Sequence, residues 1–155
     1  MMRELPQLNL PGLGPKIVSK DSHDYIQDRI RNKLVRLTPE EWVRQNLIDF
    51  LIDHLRFPRG LILVESQLHY FKLKKRLDIL IYDHGMKPFF IIECKAPHVK
   101  IKSEALTQLA IYNKSTNCPF IGLSNGLRHF CWEKSRNSYV QRKDFPNSSL
   151  IHSKE

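Results

Sequence analysis

The most regular pattern of apolar positions in this chain is helical and begins at residue 38. Thr38 is a suitable N-cap, Pro39 suits the first helical position, and Glu41 stands three residues after the cap. The apolar residues that follow, up to about Leu55, cover more than one stripe of the helix surface. We therefore predict a helix here that is covered on two sides.

The segment before this helix has a weaker pattern. Residues 1–20 contain several prolines and glycines, which predicts an irregular N-terminal arm, and residues 21–155 are predicted to form a single domain. A mixed apolar and basic stretch from about Tyr25 to Leu37 predicts a short helix.

Short β-rich runs follow the main helix. The run 77–82 and the fully apolar run 89–92 are separated by Asp83-His84-Gly85, a turn signal that indicates an antiparallel hairpin. Other predicted elements are a strand over 61–70, a helix from 101 to about 114, strands over 120–124 and 127–132 joined at Asn125-Gly126, and loops or a short edge strand after Glu133. This order predicts an α/β sandwich with a mixed central sheet covered by helices.

The charge of the chain favours a polyanionic partner. Among 155 residues, 25 are Lys or Arg and 16 are Asp or Glu, giving a net charge of +9. Such an excess favours nucleic acid, although many proteins are basic without such a partner. One dense basic run consists of Lys72, Lys74, Lys75 and Arg76. If this run lies beside an active site it would hold a phosphate backbone, whereas on a solvated turn it would have no particular role.

Composition also bears on location. No apolar stretch approaches the roughly 18 residues that span a bilayer, and the first residues lack the apolar core of a signal peptide. The cysteines Cys94, Cys118 and Cys131 include no C-x-x-C pair, which indicates a reducing cytoplasm and packing roles for the thiols. His129 shares a strand face with Cys131, but further ligands at a metal spacing are lacking, so we do not expect zinc.

The candidate chemistry lies in the central hairpin. Asp78 interrupts an apolar strand, where a carboxylate is costly to bury, and Glu93 and Lys95 project from one face of the next strand. Pairing across the hairpin would bring the two carboxylates and the ammonium together. Carboxylate oxygens, waters and a substrate phosphate can complete the octahedral shell of Mg²⁺, while a lysine orients or deprotonates the attacking water.

Each of these residues also has a simpler interpretation. Asp78 would form a salt bridge with Arg76, and Glu93 and Lys95 would form an ion pair where a strand emerges into solvent. Their joint position at the same end of two adjacent predicted strands favours the metal site over coincidence.

Several motifs together carry a family resemblance. They are Leu37–Gln45, Arg76-Leu77-Asp78, Glu93-Cys94-Lys95-Ala96-Pro97, the helical stretch Gln108–Asn113, and Ser124-Asn125-Gly126. Over about residues 25–132 the chain resembles the PD-(D/E)xK nuclease superfamily and, more narrowly, the N-terminal nuclease domain of the type I restriction enzyme R subunit. The resemblance implies a restriction-endonuclease-like three-layer sandwich with an α-β-β-β-α-β core. It also implies DNA as substrate and Mg²⁺ as cofactor, with Mn²⁺ as substitute.

The resemblance assigns roles to individual residues. Asp78 and Glu93 match the metal ligands, Lys95 matches the catalytic lysine, and Glu41 matches the acidic residue of the first helix that completes the site. A capping box, in which Glu41 reaches back to the Thr38 N–H, is the competing interpretation. The proline of the superfamily motif is replaced by Leu77, a tolerated variation.

Gln108 and Tyr112 match the glutamine–tyrosine motif of the restriction and recombination branches. They are four residues apart, hence neighbours on one helix face, where an amide and a phenol can bind phosphate or hold Lys95. In the simpler interpretation Tyr112 packs on the sheet and Gln108 is solvated.

Two functional hypotheses therefore remain. The first is a metal-dependent DNA endonuclease, and the second is a non-cleaving DNA-binding or accessory module that keeps the nuclease fold. The sequence contains no Gly-x-x-x-x-Gly-Lys-Ser/Thr loop, which predicts a relative without the translocase. A homodimer, or an assembly with other restriction or repair subunits, stays open as the protein partner.

Overall fold

The computed structural model describes residues 4–12, 14–64 and 77–152. None of the helices in these residues is both long and apolar enough to span a membrane. In chain order the described elements are β1 (Ile17–Lys20), β2 (His23–Asp28), β3 (Lys33–Arg36), α1 (Pro39–Asp53), β4 (Ile62–Val64), β5 (Ile79–Tyr82), β6 (Pro88–Cys94), α2 (Ser103–Thr116), β7 (Phe120–Ser124), β8 (His129–Ser135) and β9 (Ser138–Arg142).

The central sheet is mixed, as predicted. Its strand order is β4-β5-β6-β7-β8-β9. The pair β6–β7 is parallel and is connected through α2, whereas the other neighbours in this sheet are antiparallel. The predicted hairpins β5–β6 and β7–β8 are confirmed, and β9 is the predicted short edge strand.

The two helices cover opposite faces of this sheet. One buried cluster joins α1 to the inward side chains of the strands, and includes Val43, Leu47, Leu51, Ile79, Ile81, Phe90 and Ile92. A second cluster lies on the other face and includes Leu80, Ile91, Leu109 and Leu123. Adjacent residues of a strand point to opposite faces, so Ile91 and Ile92 belong to different clusters. This arrangement of helix, sheet and helix confirms the three-layer α/β sandwich.

The start of α1 follows from its capping residues. The Thr38 hydroxyl accepts a hydrogen bond from the Glu41 backbone N–H at 3.0 Å, and Pro39 occupies the first position of the helix. Besides packing on β6, the helix contacts β2 on its other side. The predicted helix and its two-sided cover are therefore confirmed.

The predicted helix over 25–37 is wrong, because these residues contribute β2 and β3 to a three-stranded antiparallel sheet in the order β1-β2-β3. The turns of this sheet contain residues in the left-handed region, namely Asp21 at φ 50°, Ser22 at φ 63° and Asn32 at φ 53°. Asp and Asn tolerate this conformation better than most residues, so the chain reverses here. The alternation that leaves Ile26 buried is that of a strand, and the sequence analysis misread it as helical.

The N-terminal arm is irregular only in part, since its last four residues form β1. The described residues 4–12 contain no helix or strand, yet they lie against the domain. Leu8 is buried in the α1-side cluster, and the Asn9 N–H donates to the Gly126 carbonyl at 2.8 Å. The Trp42 indole N–H donates to the Pro6 carbonyl at 3.1 Å.

Of the strand predicted over 61–70, residues Ile62–Val64 form β4. Residues 65–70 lie outside the described residues.

Candidate active site

Asp78 and Glu93 meet at one end of the β5–β6 hairpin. The antiparallel register pairs Ile79 with Ile92, so Asp78, directly before β5, lies beside Glu93, near the end of β6. Both residues are only 7% exposed. Burial is the largest cause of the raised pKa of Asp78, and the negative charge of the neighbouring Glu93 adds to it.

Both carboxylate oxygens of Asp78 have hydrogen-bond donors. Oδ1 accepts from the Arg44 guanidinium at 2.6 Å, and Oδ2 accepts from the Cys94 backbone N–H at 2.8 Å. Burial raises the pKa of Asp78, while Arg44 and the Cys94 N–H oppose this shift. The carboxylate is therefore held in a defined orientation at the bottom of the site.

Arg44 is the residue that the sequence analysis missed. It lies on the buried side of α1 and is 4% exposed. Burial alone would lower its pKa, but Asp78 and Glu41 more than offset this and raise the pKa above its usual value. The one signal in the sequence was a basic residue between Val43 and Leu47 on the buried side of the helix. The simpler interpretation paired Asp78 with Arg76, which lies outside the described residues.

Glu41 reaches Asp78 through Arg44. Its Oε2 contacts the Arg44 guanidinium, and its Oε1 accepts from the Gln45 amide at 2.8 Å and from Arg31 at 3.4 Å. Thr38 caps the backbone N–H of Glu41, so that half of the capping box is present. The Glu41 carboxylate is directed to the guanidinium groups, where it connects the N-terminal sheet to the candidate site.

Glu40 is the other acid in the first turn of α1, and its side chain is 48% exposed. Burial, followed by the charge of Asp78, raises the pKa of Glu40, whereas Arg44 and Lys95 oppose the shift. Glu40 Oε1 lies 3.5 Å from the Arg44 guanidinium, so Glu40 and Asp78 share this cation. The sequence analysis chose Glu41 because the family resemblance implied it, and the periodicity of α1 alone does not separate the two acids.

Lys95 stands at the open edge of this cluster. Its ammonium lies 3.2 Å from Glu93 Oε1, and its side chain is 31% exposed. The backbone N–H of Lys95 donates to the Ser124 carbonyl at 2.8 Å, which extends the β6–β7 pairing past the end of β6. The backbone is thus held by the sheet while the ammonium stays accessible from solvent.

The donors of this cluster suit a hard divalent cation. Asp78, Glu93 and Glu40 supply carboxylate oxygens, the ligands that Mg²⁺ prefers, and the repulsion between them would be relieved by a bound cation. Within the described residues, no group of three or more His, Cys, Asp or Glu side chains is arranged as a metal site. The arrangement fits a site in which two carboxylates share the cation with waters and substrate.

Comparison with protein families agrees with this architecture. A model described as the type I restriction enzyme R protein N terminus matches residues 39–146. The chain belongs to this family. The match includes Glu40, Glu41, the β5–β6 hairpin and Lys95, so the candidate cluster lies inside the family domain. A comparison with curated proteins finds no match.

In this member of the restriction enzyme family, neither Gln108 nor Tyr112 forms a hydrogen bond with Lys95. Gln108 is exposed on α2, and Tyr112 packs against the cluster of apolar residues on the α2 face. The basic run that the sequence analysis predicted to bind nucleic acid lies outside the described residues; it consists of Lys72, Lys74, Lys75 and Arg76.

The three cysteines are buried in the fold, and His129 forms hydrogen bonds with two other segments. Cys94, Cys118 and Cys131 are buried free thiols, and burial raises the pKa of both Cys118 and Cys131 to about 12. The His129 ring lies 2.8 Å from the Ser124 hydroxyl and 2.9 Å from the Asn9 carbonyl. His129 therefore attaches the N-terminal arm to the end of β7.

Proposed function

We propose that this chain is a metal-dependent endonuclease that hydrolyses phosphodiester bonds in DNA. The observation that carries the proposal is the meeting of two nearly buried carboxylates, Asp78 and Glu93, with Lys95 at the same end of two paired strands. Membership of the type I restriction enzyme R protein N-terminal family and a net charge of +9 support DNA as the substrate.

Asp78 and Glu93 would hold Mg²⁺, or Mn²⁺ in its place. An acid of α1 would complete the ligand set: Glu41 according to the family resemblance, or Glu40, which shares the Arg44 guanidinium with Asp78. When bound, the cation supplies a more acidic water and neutralises negative charge on the phosphate. Arg44 keeps Asp78 oriented toward the site through its 2.6 Å contact with Oδ1.

Lys95 is the residue best placed to act on the attacking water. Its ammonium is accessible and is oriented by Glu93 at 3.2 Å, so it can position the water or exchange a proton with it. A lysine carries a compact positive charge and can also contact a phosphate oxygen. In this proposal Arg44 orients the Asp78 carboxylate, and Lys95 positions the attacking water or exchanges a proton with it.

A second candidate function is a DNA-binding or accessory module without cleavage. One observation favours it: Arg44 already compensates both Asp78 and Glu41, so the buried charges of the site are paired without a cation. Such a site would be stable without catalysis.

Cleavage of supercoiled plasmid and single-stranded DNA tests the proposal. We expect products with Mg²⁺ or Mn²⁺ and none with EDTA. Asp78→Asn, Glu93→Gln and Lys95→Ala should each abolish cleavage and leave the fold intact. Because these residues serve one chemical step, double variants should lose little more than single ones.

Glu133→Gln is the matched control, since Glu133 forms an exposed ion pair with Arg142 on β8–β9. It should cleave like the wild type. If Asp78→Asn cleaves as well as the wild type, the activity does not arise from this cluster. Tight DNA binding without cleavage under any metal condition would favour the second candidate.

A further inference from the structure

A groove runs along one side of α2. This helix packs on β6 and β7, so the strands β8 and β9 extend beyond it on the same face of the sheet. Two cavities of about 280 Å³ and 540 Å³ lie between α2 and the β8–β9 hairpin, and Leu106 lines both. They are therefore neighbours along α2, and together we call them the α2 groove.

The first end of the α2 groove lies in the same row of the central sheet as Glu93. Leu123 of β7 pairs with Glu93 on one side and with Phe130 of β8 on the other. Residues in one row across neighbouring strands share a face of the sheet, and each strand is about 4.8 Å from the next. Phe130, which lines the smaller cavity, is therefore about 10 Å from Glu93 along the row.

Two aromatic rings line this end of the groove. Phe130 and Trp132 project from the same face of β8, with ring centroids 6.1 Å apart and planes inclined by 16°. Both side chains are partly exposed. Lys102 and Gln141 line the same cavity and add a positive charge and an amide beside the rings. Aromatic rings that a base can reach, in a groove of positive charge, are the usual platform for stacking unpaired bases.

The far end of the groove is basic. Lys114, Lys134 and Arg136 line the larger cavity, and neither cavity has an acidic residue in its described lining. Lys134 donates to the Asn117 side chain at 2.5 Å, which uses one of its three N–H donors. Ser103 and Lys114 are roughly 17 Å apart along α2. This distance suits about five stacked nucleotides, so the groove has room for a short strand.

We propose that the α2 groove binds an unpaired strand of nucleic acid whose path leads to Glu93. Phe130 and Trp132 stack on the bases, and Lys114, Lys134 and Arg136 bind the phosphates. In a duplex the bases face each other and would have to be extruded to reach the rings, so the groove selects a single strand. The inference rests on the proposed function for the class of substrate, but it does not require cleavage.

Binding without metal tests the groove separately from catalysis. The full chain in EDTA is titrated against a fluorescent oligothymidylate of about 12 nucleotides and against the matching duplex, with anisotropy as the readout. We expect tighter binding of the single strand. Phe130→Ala should weaken this binding about tenfold, because it removes one stacking platform. Phe130→Leu keeps an apolar side chain for packing and should weaken binding similarly.

Two further measurements locate the strand. In a Trp42→Phe background, Trp132 is the remaining tryptophan, and its emission should be quenched by the oligonucleotide. Lys134→Gln with Arg136→Gln should flatten the dependence of log affinity on log salt by about 0.7 per lost phosphate contact. Lys143→Gln is the control, because Lys143 is exposed and lines other cavities.

Equal affinity for single strand and duplex, unchanged affinity in both Phe130 variants, or no binding of the single strand would overturn the proposal. A chain that cleaves DNA but shows one of these results refutes the groove alone. A chain that binds the strand through Phe130 and never cleaves refutes the endonuclease alone.

Discussion

Replacing Arg44 by methionine tests the electrostatic account of the candidate site. Methionine has a similar length, so the variant mainly removes a guanidinium that is 4% exposed and lies 2.6 Å from Asp78. It leaves Asp78 and Glu41 nearly buried without this counter-charge. Breaking a buried ion pair in this way costs about 3–5 kcal/mol of unfolding free energy. For a domain of this size the melting temperature should fall by roughly 6–20 °C.

The loss should also depend on pH. Asp78 and Glu40 have raised pKa values, so the folded state binds their protons more tightly than the unfolded state does. Their contribution to stability is complete below the unfolded pKa and is lost as the pH rises through the folded pKa. Removing Arg44 raises the folded pKa of Asp78 further, since Arg44 lowers it. The difference between Arg44→Met and wild type should therefore shrink from about pH 7 toward about pH 4.

Urea unfolding followed by circular dichroism across this pH range measures both effects. Arg29→Met is the matched control, because Arg29 also contacts two carboxylates, Asp49 and Asp53, but its side chain is 34% exposed. An exposed network of this kind contributes about 1 kcal/mol or less. The reasoning fails if Arg44→Met loses no more stability than Arg29→Met, or if its loss is the same at every pH.

Three further predictions concern the same site and its substrate. Glu40→Gln should lower cleavage with little effect on the melting temperature. Glu41→Gln should lower both cleavage and the melting temperature, because the Glu41 carboxylate contacts Arg44 and Arg31. Wild-type cleavage in both variants would exclude the α1 acids as metal ligands. Mg²⁺ should raise the melting temperature of the wild type but not of Asp78→Asn, and equal shifts in thermal scans would exclude Asp78 as a ligand. Lys74→Ala with Lys75→Ala should flatten the salt dependence of duplex binding, and an unchanged slope would exclude that basic run.

The sequence by itself determined the features that depend on neighbouring residues. Thr38 and Pro39 mark the start of α1 because capping involves only the first turn. The turn after Tyr82 joins two apolar runs, and this local pairing brings Asp78 beside Glu93. The candidate carboxylates could therefore be identified from the order of residues along the chain.

The same local reasoning failed in the segment that precedes α1. Residues 25–37 include apolar and basic side chains at spacings that suit a short helix or two short strands. The sheet forms because β2 pairs with both β1 and β3, and the turns between these strands place residues in the left-handed region. A short stretch without a capping signal does not decide between these alternatives.

Only the tertiary structure decided which charges meet. Arg44 and Asp78 are 34 residues apart, and their contact depends on how α1 packs across the sheet. That packing also brings Glu40 and Glu41, which are adjacent in sequence, to the same guanidinium group that binds Asp78. The position of Phe130 in the same row as Glu93 likewise depends on the register of three strands. Such contacts join residues that are distant in the chain, so periodicity and capping carry no information about them.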